Sequence, residues 1–196
     1  MLASITPLGE RGRHSRWGIT VTAFIVGTTI AGAGLGAVAG AVGALLLPAS
    51  IGPPARLVAL AAVGLLAVAL DMRGDRVPGP RRQVNEDWLV AFRGWVYGLG
   101  YGVELGLGVT TVVSSAALYV AIVAAVATGD PARGAVVLGC FGAARGVSLL
   151  SAARVRRPEQ LIALHARLGR WRAPARAGAV ATLSAIAAAA IIGAVS

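Results

Sequence analysis

From Gly94 to Ala127 the chain carries one charged side chain, the carboxylate of Glu104. The core of that stretch, WVYGLGYGVELGLGVTTVVSSAALYVAIVAAVA, is longer than the roughly 20 residues a helix needs to cross a bilayer. An ionised group at that depth costs several kcal/mol unless it is paired, hydrated or neutralised. A chain with such a segment folds in lipid, and the acid marks either a working site or a buried structural pair.

The rest of the sequence agrees with a fold in lipid. Of 196 residues, 57% are hydrophobic and 13% charged, about half the charge of a soluble domain. The charges are gathered into short stretches, and 27 glycines suit helices that approach closely. The expected fold is all-α, a polytopic transmembrane helical bundle.

All 18 basic residues are arginine, against eight acids, for a net charge of +10. They flank apolar runs, where they set topology and meet anionic lipids, which are the expected partners in place of nucleic acid. Cys140 is the single cysteine, and His14 and His165 lie in arginine-rich stretches. No metal site or cofactor is expected from that set.

Five spans are expected, at 18–47, 54–71, 95–128, 132–152 and 173–195, with four or six as alternatives. A basic arm, 1–17, precedes them. The apolar stretch after it is too long for a signal-peptide core and reads as a retained first helix. Fifteen arginines fall in the N-terminal arm, the loop 72–94 and the stretch 154–176, whereas the other two loops hold only Arg56 and Arg133. The positive-inside rule then puts the N-terminus in the cytoplasm and the protein in a bacterial inner membrane. Residues 158–171 gather Leu161, Ile162, Leu164, Leu168 and Trp171 largely on one side, as in a helix lying at the membrane interface or packed on the bundle.

Glycines recur at four-residue spacing, Gly32, Gly36 and Gly40 in the first span and Gly94, Gly98, Gly102 and Gly106 in the third. Such stripes let another helix approach, either within one chain or across a homodimer or a contact with another membrane protein. Gly108 offers a point where the helix beside Glu104 can unwind.

Helical spacing sets Tyr97, Tyr101, Glu104, Thr111 and Ser115 on one stripe. Glu104 is then roughly 13 Å, and Arg145 of the fourth span roughly 11 Å, from the cytoplasmic boundary, so antiparallel neighbours bring them to similar depth. The pair reads equally as a site for a small solute or ion and as a permanent lock between spans.

The stretch ending in GALLLP and the segment FRGWVYGLGYGVELGLGVTTVVSSAALYV resemble the DsbD/CcdA type of cytochrome c biogenesis and small-solute transport proteins. The resemblance implies a compact bundle of repeated halves that carries reducing equivalents or solutes. Electron transfer needs paired membrane cysteines, which Cys140 alone does not supply. The leading expectation is a transporter or transport subunit built around Glu104 and Arg145. The alternative is a non-catalytic assembly subunit of a larger membrane complex. An enzyme ranks below both, for want of a recognised catalytic constellation.

Overall fold

The computed structural model describes residues 5–47, 51–73, 87–108 and 116–195. Among them every regular element is helical: α1 (Pro7–Gly12), α2 (Trp17–Leu46), α3 (Pro53–Arg73), α4 (Trp88–Ala91), α5 (Gly94–Leu107), α6 (Ala117–Thr128), α7 (Pro131–Val147) with a 3₁₀ turn at Ser148–Ala152, and α8 (Pro158–Val195). Four are long and apolar enough to cross a membrane: α2, α3, α7 with its 3₁₀ extension, and α8. Large apolar side chains point outward along them, with Ile30 63%, Val38 61%, Leu66 60% and Ile192 69% exposed. Such surfaces are untenable in water and natural against lipid tails. The protein is an all-α membrane helical bundle.

Two expected segments are built differently. The stretch 95–128 is not one helix, because α5 stops at Leu107 and α6 starts at Ala117. Gly108 follows α5 in the left-handed region at φ 66°, and its N–H bonds the Leu105 carbonyl. A side chain at that φ would be strained, so the glycine ends the helix where a purely apolar run would have continued. Thr111 and Ser115, the last two residues of the expected polar stripe, lie outside the described residues. Conversely, the amphipathic segment 158–171 and the span 173–195 are one helix of 38 residues, about 57 Å long. Pro174 lies inside it. The missing proline N–H leaves the Arg170 carbonyl without its helical donor.

The chain forms two compact units, each assembled from segments distant in sequence: Met1–Gly32, Arg81–Val112 and Gly139–Arg172 in the first, and Ala33–Pro80, Val113–Leu138 and Ala173–Ser196 in the second. In the first unit, Ile5, Val21, Phe24, Tyr97, Tyr101 and Leu149 form the buried centre. The stripe of α5 lies directly on the backbone of α2. A Cβ added at Gly98 would stand 2.5 Å from the Thr20 carbonyl oxygen and one at Gly106 would stand 2.5 Å from that of Thr28, while Gly102 meets the Phe24 carbonyl between them. One glycine per turn meets one α2 residue per turn in ascending order, so the two helices run parallel with their N-termini together. Gly142 of α7 rests on the same Thr28 carbonyl, near Gly32.

The second unit repeats this packing with other partners. Gly36 and Gly134 meet backbone to backbone, and Gly40 meets the Asp130 carbonyl. Around them are Ala39, Ala125 and Leu138, while Ala67, Ala116, Val120 and Leu183 form another buried cluster. Small side chains dominate because the backbones leave room for little else.

Candidate functional site

Among the described residues, the most elaborate polar cluster is built on Glu10. Thr6 caps α1 by accepting from the Gly9 N–H at 3.1 Å, and Pro7 occupies the first helical position, where its missing donor is harmless. This start places Glu10 inward, with no exposed surface. Its Oε1 accepts from the Tyr97 hydroxyl at 2.5 Å and from Arg13 Nη2 at 2.9 Å, and its Oε2 accepts from Thr20 Oγ1 at 2.7 Å. One carboxylate therefore joins the N-terminal arm to α2 and α5. Burial pulls the Arg13 guanidinium down, but its hydrogen bonds to Glu10 and Tyr97 and their charges prevail and hold it above its ordinary value. With both oxygens hydrogen-bonded, Glu10 can fasten helices; it has little left over with which to do chemistry.

Beside this cluster opens a cleft of about 690 Å³, whose lining includes Arg13, His14, Arg16, Arg93 and Trp95. The chain turns into α2 through His14, which adopts φ 55°, a left-handed conformation rare outside glycine. The N-terminus of α5 opens on the same cleft, and its cap residue, Arg93, makes no side-chain capping bond.

The expected stripe on α5 divides among separate partners. Tyr97 is turned to Glu10, and Tyr101 stacks on Trp88 with ring centroids 6.0 Å apart and planes 12° from parallel. Glu104 is half-buried one turn further on. Arg145 comes to that same turn, but its Nη1 donates to the Leu105 carbonyl at 2.9 Å and its guanidinium lies 5.8 Å from the centre of the Phe141 ring. Since Gly108 ends α5 there, the arginine serves a helix terminus with a partial negative charge, at a carbonyl that also accepts from the Gly108 N–H.

A matching arrangement occurs in the second unit. Asp71, buried in the last turn of α3, accepts from the Ala116 N–H at 3.0 Å, at the start of α6. A carboxylate on a helix N-terminus is the favourable sign, as a guanidinium on a C-terminus is. The structure thus puts a fitting charge at each of the two helix ends flanking 109–115.

Of the stripe glycines, Gly94, Gly98, Gly102 and Gly106 lie against α2 or the turn before it, and Gly36 and Gly40 against α7 or its leading turn. The Glu10 cluster was missed at the sequence level. The Thr6–Pro7 pair signals a helix start, and nothing local signals that the acid one turn later is buried against a tyrosine 87 residues away.

Two curated relatives share this sequence. The chain is 36% identical over 124 residues to the methylamine utilization protein MauF of Paracoccus versutus, covering 62% of this chain and 44% of the relative. It is 37% identical over 113 residues to the protein of the same name from Paracoccus denitrificans, covering 57% and 40%. The chain spans less than half the length of either. No family model and no solved structure matches it. These relatives overturn the resemblance to the DsbD/CcdA type, which rested on glycine-rich patterning that close-packed membrane helices share irrespective of ancestry. They also correct the expectation of a transporter, since both are named for methylamine utilization and neither for transport.

Proposed function

We propose that this protein is a non-catalytic accessory subunit of the bacterial inner membrane, which helps assemble or mature a protein complex used in methylamine utilization. The carrying observation is the 36% identity over 124 residues to a methylamine utilization protein. The placement of charge supports an accessory role: Glu10 fastens helices, Asp71 serves the start of α6 and Arg145 the end of α5. The partner is another membrane protein, met at the helix surfaces or at the arginine-rich first half of α8. The arginine asymmetry supports a cytoplasmic N-terminus.

Deletion of the gene in a host that grows on methylamine tests this reading. Growth on methylamine and methylamine-oxidising activity should fall, growth on succinate should not, and gentle-detergent purification of the complementing protein should retain a stoichiometric partner. Unimpaired growth and oxidation in the deletion strain would refute it.

A further inference from the structure

The cleft at the start of α2 and α5 continues into an apolar groove. The groove, about 470 Å³, is lined by Gly18, Thr22, Val26 and Leu99 and shares Ile19 and Trp95 with the cleft. Both shared residues are half exposed, each at 51%. Charge lies at one end only. Arg13 is engaged with Glu10, while Arg16 and Arg93 are exposed and have no carboxylate partner among the described residues. The parallel packing of α2 and α5 brings two helix N-termini to the same place, since Gly94 sits against Ser15 and Thr20. Their partial positive charges add to the two guanidiniums.

We infer that the cleft and groove form a binding site for one anionic phospholipid, with its phosphate between Arg16 and Arg93 and an acyl chain along the α2–α5 groove. Charge complementarity selects the headgroup, because arginine is the side chain best matched to phosphate oxygens. The adjoining groove selects a lipid over a free anion, since a soluble phosphate would leave it uncovered. Trp95 stands at the junction, where an indole favours the membrane–water boundary. The inference uses the membrane fold and is independent of the role in methylamine utilization.

Native mass spectrometry of the full chain in mild detergent tests it, with phosphatidylglycerol and phosphatidylcholine of identical chains as probes. The wild type should retain one phosphatidylglycerol at least about tenfold more strongly than phosphatidylcholine. Arg16→Gln with Arg93→Gln should weaken that retention by about thirty-fold, the expected effect of two basic groups at a lipid surface. Gly18→Phe should fill the groove and weaken both lipids, because a Cβ at Gly18 meets nothing within 4 Å and the fold can accept it. Arg170→Gln with Arg172→Gln, away from the cleft, should change nothing. Inorganic phosphate and glycerol phosphate should fail to displace the lipid. Equal retention of the two lipids, indifference to the Arg16/Arg93 change, or full displacement by either soluble phosphate would overturn the site, the last outcome marking it as a free-anion site. If the double variant does not fold, Gly18→Phe decides alone: unchanged phosphatidylglycerol retention would refute the proposal.

Discussion

Arg145 Nη1 lies 2.9 Å from the carbonyl oxygen of Leu105, one residue beyond Glu104, in the last turn of a helix that Gly108 brings to an end. The guanidinium is therefore a second donor to a carbonyl that the Gly108 N–H also reaches. Replacing it with leucine should remove that second bond and the favourable charge at the helix end, and destabilise the protein by about 1–2 kcal/mol. Arg145→Lys should recover part of the loss, and Arg145→Leu should cost nearly the same with Glu104 intact as with Glu104→Gln. Thermal unfolding in detergent measures all three. Abolition of the Arg145→Leu penalty by Glu104→Gln would show that the carboxylate, not the carbonyl, is what the arginine serves.

The Glu10 cluster predicts coupling across the sequence. Glu10→Gln and Tyr97→Phe should each lower stability by about 1–2 kcal/mol, and the double variant should lose less than the sum, with a coupling of at least about 0.5 kcal/mol. Chemical denaturation in mixed micelles, run as a double-mutant cycle, gives the value. Strict additivity would mean that the hydroxyl and the carboxylate act separately.

Glycine substitutions should sort by what lies opposite. Gly98→Ala drives a methyl to within 2.5 Å of the Thr20 carbonyl oxygen and should lower stability by about 1–3 kcal/mol, whereas Gly34→Ala, where a Cβ meets nothing within 4 Å, should be neutral or stabilising. Gly36→Ala should resemble Gly98→Ala, because Gly134 faces it backbone to backbone. Melting temperatures of the three variants provide the test, and equal shifts would contradict the close approach.

Asp71→Ala should destabilise the start of α6 by about 1–2 kcal/mol, a loss the isosteric Asp71→Asn moderates because an amide oxygen still accepts from the Ala116 N–H. Hydrogen exchange read by mass spectrometry should localise the loss of protection to 116–120. A uniform rise across the chain would point to global rather than local loosening.

Much of the architecture was legible in the sequence because lipid imposes simple rules. Apolar length and glycines four apart follow from packing helices where no water can serve the backbone. The division of 95–128 was not legible from hydropathy, since both halves are equally apolar and the break depends on Gly108 taking a left-handed turn. The bond from Arg145 to the Leu105 carbonyl was not legible for a related reason: a continuous helix offers few carbonyls to a side chain, and this one depends on α5 ending at Gly108. Glu10 was hidden because its surroundings come from three segments, and proximity in space to Tyr97 has no local trace. The joined helix α8 was not legible because its first half is amphipathic and arginine-rich and its second half apolar, two patterns that read as separate segments.

The 87-residue separation of Glu10 and Tyr97 also has a consequence in time. Glu10 leaves the ribosome before Tyr97, so its carboxylate has no complete berth until α5 has been synthesised and inserted beside α2. At typical elongation speeds that delay is roughly 4 to 17 s. Throughout it the acid lacks the Tyr97 hydroxyl, so its seating is a late closing step of biogenesis.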